Sequence, residues 1–171
     1  MPYVTHAELA ENPGALELSE VASDEHARPV AAELLDALLR GQDVTAWPAD
    51  ELAAAQRALT RIDDAVLDAQ AVIDGYLAKR GYALPRQPPV HRLVTAWARD
   101  IARHRLHKNR LADDGKDPIS RAWRDALRLL QQVAEGKFAI GPVDTVAVHK
   151  TQAIFDSAPL VFGRMQLRAW R

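Results

Sequence analysis

DELAAAQRALTRIDDAVLDAQAVIDGYLAKR, residues 50–80, places an apolar side chain at every third or fourth position from end to end. Leu52, Ala55, Leu59, Ile62, Val66, Ala69, Ile73 and Tyr76 form one stripe, while Arg57, Arg61, Asp64 and Asp68 lie off it. That spacing predicts a long amphipathic helix with one face in a core. Pro48 suits a first helical turn, and Asp50 and Glu51 complement the positive end of the helix dipole. Unbroken, such a helix is about 45 Å long. Gly75 is where it is most easily interrupted, and Gly81 with Pro85, Pro88 and Pro89 forces a turn beyond it.

Elements on both sides have the periodicity to pack on this helix. Downstream, Leu93, Trp97 and Ile101 mark the apolar stripe of a helix over 90–111, whose other faces carry Arg92, Arg99, Arg103, Arg105, Lys108 and Arg110. A polar turn from Asp113 to Pro118 leads to another amphipathic helix, with Ile119, Trp123, Leu127, Leu130 and Val133 inward and Gly136 as its stop. Upstream, Thr5 and Glu8 have the spacing of a capping box, so a short helix starts there and Asn12, Pro13 and Gly14 end it. Ala15 to Val21 supply a second short apolar segment. Val30, Leu34, Leu35, Leu38 and Leu39 predict a helix within Asp24 to Arg40, stopped by Gly41. The expected fold is mainly α: residues 1–136 form a small helical bundle built on one long helix, and residues 137–171 form an extended C-terminal arm.

The arm differs in kind from the bundle. Past Gly136 the helical period gives way to Ala139, Ile140, Val143, Val146 and Val148, then Ile154, Phe155, Leu160, Val161 and Phe162, with Gly141, Pro142, Pro159 and Gly163 ruling out a long helix. The segment is too apolar for a solvated linker. Two readings fit: an arm buried on a partner, which can add a short β-strand to it, or a small hairpin folded back on its own domain. Trp170, flanked by Arg168 and Arg171, has the chemistry of an interface anchor or of a ring folded onto the domain.

A chain of 171 residues can bury about two thirds of the surface its unfolded form exposes, enough for one core. With 48% apolar and 26% charged residues it belongs with folded globular proteins rather than disordered ones. It has no cysteine, which excludes disulfides and thiolate metal sites. Met1 to Glu20 carry Glu8, Glu11 and Glu17 ahead of Glu20 and no basic run, and no stretch approaches 18 apolar residues, so neither a signal peptide nor a membrane span is expected. The net charge of −1 conceals a dipole. Residues 1–85 hold 6 Lys and Arg against 15 Asp and Glu, net −9, whereas residues 86–171 hold 16 against 8, net +8. Nucleic-acid binding by the basic half, head-to-tail packing of identical subunits, and two charged surfaces facing water all accommodate this.

Residues arranged for catalysis are not apparent. The chain has no Gly-rich phosphate loop, Gly-x-Ser-x-Gly elbow or His-Glu-x-x-His helix. His104 and His107, with His91 nearby, are the best metal candidate, but the cations around them repel a dication. Asp63, Asp64 and Asp68 could be read as paired carboxylates, although acidic residues on a long helix usually form a solvated face. Trp97 and Trp123 lie on apolar stripes, which favours the core over base stacking. Neither an enzymatic activity nor a cofactor is expected. One alternative is a module that binds nucleic acid without sequence preference, through phosphate contacts from Arg99, Arg103, Arg105, Lys108 and Arg110.

Several local runs, in order, carry a family resemblance: Tyr3-Val4-Thr5-x-x-Glu8-Leu9; Ala69-x-x-x-Ile73-Asp74-Gly75-Tyr76-Leu77-Ala78-x-Arg80 followed by Leu84-Pro85; Ala98-Arg99-Asp100-Ile101-Ala102-Arg103-His104-x-Leu106; Asp125-Ala126-Leu127-Arg128-x-Leu130-x-x-Val133-Ala134-x-Gly136-Lys137; and Phe162-Gly163-Arg164-x-x-Leu167-Arg168-x-Trp170. The sequence resembles the head-tail connector (adaptor) family of Mu-like tailed phages. Residues 23–58 look like an insertion relative to the family pattern, and Gly81 lengthens a turn. The resemblance implies a ring of subunits, twelve in number, between the portal protein and the next neck or tail-completion protein. Double-stranded DNA would pass through the lumen, no membrane would be involved, and the protein would reside in the virion neck after assembly in the host cytoplasm. It also makes Ile154, Phe155, Leu160, Phe162, Arg164, Leu167, Arg168 and Trp170 the expected portal-binding arm, with the basic helix as a subunit or DNA contact.

Overall fold

A computed structural model describes residues 2–23, 28–84, 92–107 and 117–140. These form six α-helices and, among the described residues, no strand: α1 (His6–Leu9), α2 (Ala15–Ala22), α3 (Ala32–Leu39), α4 (Ala49–Arg80), α5 (Arg92–His107) and α6 (Pro118–Ala134). The helical bundle expected from periodicity is present. The expected arm from residue 141 onward, with any strand in it, lies outside the described residues.

The long helix forms as one piece of 32 residues. Pro48 sits just before its first turn in extended conformation, and Gly81 ends it at φ 90°, a left-handed conformation glycine adopts without a Cβ penalty. Gly75 does not interrupt it, because the flanking turns are held by buried Ile73 and Leu77. The inner face is rich in alanine: Ala55, Ala58, Ala65 and Ala69 alternate with Ile62, Val66, Ile73 and Leu77, all buried. Such small side chains let neighbouring helices approach closely. Leu52, Leu59 and Tyr76, expected in the same stripe, lie at its edge and are only partly buried.

Helices α5 and α6 pack on α4 and on each other. Arg105 reaches Asp68, and Ile101 shares a cavity wall with Val72, so α4 and α5 run antiparallel. Val94, Trp97, Ala98, Ile101 and Ala102 face inward from α5. In α6 the buried set is Ser120, Ala126, Leu130 and Val133. Leu130 and Val133 are inside as expected, but Ile119, Trp123 and Leu127 are only half-buried; Ala126 and Ser120 take the closest positions, where small residues fit a tight helix crossing. Gly136 closes α6 at φ 74°, and the Arg80 guanidinium lies only 2.8 Å from where a Cβ would stand. A side chain there would displace the arginine that ends α4.

The N-terminal elements cover the rest of α4. The capping box forms: Thr5 Oγ1 accepts from the Glu8 amide, and the Glu8 carboxylate accepts from the Thr5 amide at 2.8 Å. Asn12 leaves helical conformation and Pro13 follows it, turning the chain between α1 and α2. Helix α3 begins at Ala32, later than the periodicity alone allows. Pro29 has no amide proton to give a helix, and the Val30 amide donates instead to Ser23 Oγ at 2.9 Å, which keeps residues 28–30 out of the helix. Leu34, Leu35 and Leu39 then seat fully in the core.

Candidate functional site

The two charged halves meet inside the molecule. Glu17 on α2 accepts from Arg103 on α5 through both carboxylate oxygens, at 2.5 and 2.6 Å, and His107 Nε2 lies 2.8 Å from the same group. Burial pushes the Glu17 carboxyl up, but the bonds from Arg103 and His107 outweigh it and hold it below its ordinary range. Arg103 is raised in turn, chiefly by its bond to Glu17. Beside it Asp100 goes the other way: burial raises its carboxyl despite the attraction of Arg99 and Arg103. Further polar links tie the N-terminal segment to α4, where Tyr3 Oη donates to Asp74 and His6 Nε2 lies 2.6 Å from Asp63.

These contacts place the residues singled out in the sequence. Arg103 is engaged by Glu17, Arg105 pairs with Asp68 at 3.4 Å, and Arg99 is half-buried, so three of the five expected contact residues of the basic helix lie against acidic groups or protein of the same chain. Lys108 and Arg110 fall outside the described residues, as do all eight expected arm residues, Ile154 to Trp170. His104 and His107 turn to different neighbours: the His104 ring stacks on Trp123 at 4.1 Å, while His107 meets Glu17. Among the described residues no cluster of three His, Asp or Glu is arranged to hold a metal. Asp63, Asp64 and Asp68 do not act together, the first binding His6 and the last Arg105. Trp97 is buried and meets Phe138 at a tilt of 59°, with ring centres 6.4 Å apart.

Two further features stand out among the described residues. The first is an open cavity of about 310 Å³ between α4, α5 and α6, walled by Val72, Tyr76, Ile101, His104, Trp123 and Leu127. The second is the pair of outward faces of α4 and α6. Along α6, Arg121, Arg124 and Arg128 recur at intervals of three and four and are all exposed. Arg124 Nε donates to the Ser120 carbonyl and Arg128 pairs with Asp125, 71% and 54% exposed. Along α4, Asp64, Leu67 and Asp68 face outward, Leu67 at 60% exposure. The α6 arginines were legible as a helical stripe, but a reading centred on the basic helix before them passes over it. The Glu17 junction had no local signal, since its partners are 86 and 90 residues away.

The sequence matches the family described as Bacteriophage Mu, Gp36, over residues 3–156. The chain belongs to the Bacteriophage Mu Gp36 family. No curated protein matches it. The Gp36 family match runs through the bundle and through the segment 23–58, and stops before the last fifteen residues, so it takes in Ile154 and Phe155 but not Trp170. This Gp36 family member is therefore a Mu-like phage protein. Among its described residues no helix is long and apolar enough to cross a membrane.

Proposed function

We propose that the chain is a structural virion protein, a head-tail adaptor of which twelve copies form a ring between the portal and the next neck or tail-completion protein. DNA passes through the lumen. Membership of the Bacteriophage Mu Gp36 family carries this reading, together with the sequence resemblance to Mu-like connectors. The protein assembles in the host cytoplasm and ends in the virion neck, and no reaction and no cofactor is involved.

The architecture is consistent with such a part. Charged outer faces allow like subunits to attract head to tail. The apolar C-terminal segment reaches the portal: Ile154, Phe155, Leu160 and Phe162 bury against it, and Arg164, Leu167, Arg168 and Trp170 complete the contact. The test is co-sedimentation with portal particles of the full chain and of one carrying Phe155→Ala, Phe162→Ala and Trp170→Ala. The wild type sediments with portals and the triple variant stays in solution; equal sedimentation of both removes the arm from the contact.

A second reading has one observation in its favour, the arginine-rich surfaces of α5 and α6. In it the chain binds nucleic acid without sequence preference through residues 90–111, and affinity falls steeply as salt rises. Binding of mixed-sequence DNA by the isolated protein, with a log–log salt slope of several units, would move this reading to first place.

A further inference from the structure

The outward face of α4 carries a residue choice that its own fold does not require. Gly75 lies inside the helix with ordinary helical geometry, and a Cβ added there would meet nothing within 4 Å among the described residues. Glycine in a helix interior is nonetheless unfavourable relative to alanine. One turn before it lies Ala71, and before that Leu67, an apolar side chain exposed in the middle of the longest helix. Asp64 and Asp68 flank Leu67, and Asp68 is already drawn toward a cation, the Arg105 guanidinium, at 3.4 Å. Over residues 64–75 the face is thus acidic at one end, apolar in the middle and bare at the other, with exposed Arg57 and Arg61 on the turns before it.

The outward face of α6 is its complement. Arg121, Arg124 and Arg128 occupy one side of the helix over about 10 Å. Their long stems can cover an apolar side chain while the guanidiniums reach carboxylates. The buried sides of α4 and α6 pack against each other, so their outward faces point away from one another and cannot meet within one chain.

We propose that the outward face of α4 in one copy of this chain seats the outward face of α6 of a second copy. Asp64 and Asp68 meet the α6 arginines, Leu67 lies under the arginine stems, and Ala71 and Gly75 let the second helix come close. Each copy uses one face as donor and the other as acceptor, so the contact is heterologous and propagates until it closes into a ring. The proposal rests on the ring-forming reading above and specifies which surfaces build it.

The experiment uses the full chain, with assembly followed by native mass spectrometry at low salt over rising protein concentration. One variant carries Asp64→Lys and Leu67→Lys, the other Arg121→Glu and Arg128→Glu; all four positions are exposed, and unchanged melting temperatures verify the fold. Wild type gives closed oligomers, each variant alone loses them, and an equimolar mixture regains them with the two variants alternating. As a second probe Gly75→Leu abolishes oligomers while Gly75→Ala raises the monomer melting temperature by a few degrees. Oligomers formed by either charge variant alone, as readily as by wild type, overturn the proposal and leave the ring reading intact. A wild type that stays monomeric throughout overturns both. Loss of DNA affinity in the arginine variant with oligomers unchanged overturns the proposal in favour of α6 as a nucleic-acid surface.

Discussion

Helices α5 and α6 are both rich in arginine, yet they place it differently. On α5, Arg103 is bonded to Glu17 and Arg105 to Asp68, so its charge joins the acidic N-terminal half to the basic C-terminal half of the same molecule. On α6, Arg121, Arg124 and Arg128 face outward, with Arg124 donating to the Ser120 carbonyl and Arg128 pairing with Asp125. Similar composition is therefore placed in two ways, partly in ion pairs across the fold in one helix and on an exposed face in the next. Counting charges along the chain does not separate them; what does is whether an acidic element packs over the helix, as α2 does over α5.

The comparison can be broken by substitutions that should act on stability in one helix and not in the other. The largest effect is expected at the core of α5. Trp97→Ala removes a buried ring and should cost about 3–5 kcal/mol, a melting-temperature drop on the order of 10 °C for a domain of this size; a small change would mean that α5 is not anchored as described. Next, Glu17→Gln withdraws the carboxylate shared by Arg103 and His107 and should cost about 1–3 kcal/mol at neutral pH. Because the folded state holds Glu17 below its ordinary value of 4.5, its contribution is fully present above that pH and is lost as pH falls through the lower folded value. Denaturant titrations of wild type and variant should accordingly differ at pH 7 and converge in strong acid.

A smaller effect of opposite sign sharpens the contrast within α5. Burial raises the Asp100 carboxyl, so the native state binds its proton more tightly than the unfolded chain and its charge opposes folding above that range. Asp100→Asn should stabilise slightly at pH 7, with the gain vanishing as pH falls below the ordinary carboxyl value of 3.8. The smallest change belongs to α6: Arg121→Ala, at an exposed position, should alter unfolding free energy by no more than about 0.5 kcal/mol. A loss as large as that of Glu17→Gln would show that α6 also uses its charge internally.

Much of the fold was legible in local sequence because its determinants are local. The run from Asp50 to Arg80 specifies a helix by its period, Thr5 and Glu8 specify a helix start by their spacing, and Gly81 and Gly136 mark stops where the backbone turns left-handed. The exceptions have particular causes. Helix α3 starts at Ala32 because Pro29 and the Ser23 hydroxyl compete for the chain before it. Trp123 and Leu127 stop short of the core because Ala126 and Ser120 fit the crossing more closely, a choice made by packing rather than by hydropathy. The candidate surfaces were less legible: the basic character of α5 was plain, but the pairing of Arg103 with Glu17 spans 86 residues and exists only once α2 lies over α5. Family membership adds what local patterns cannot, that the chain is a Mu-like phage protein.

The most direct test of the adaptor account is cryo-electron microscopy of phage particles assembled with this chain, with the neck reconstructed at a resolution that separates helices. The account predicts a ring of helical subunits directly beneath the portal, α4 of each subunit against α6 of the next, and the C-terminal segment of each subunit on the portal. A complete neck without density for this chain would contradict it.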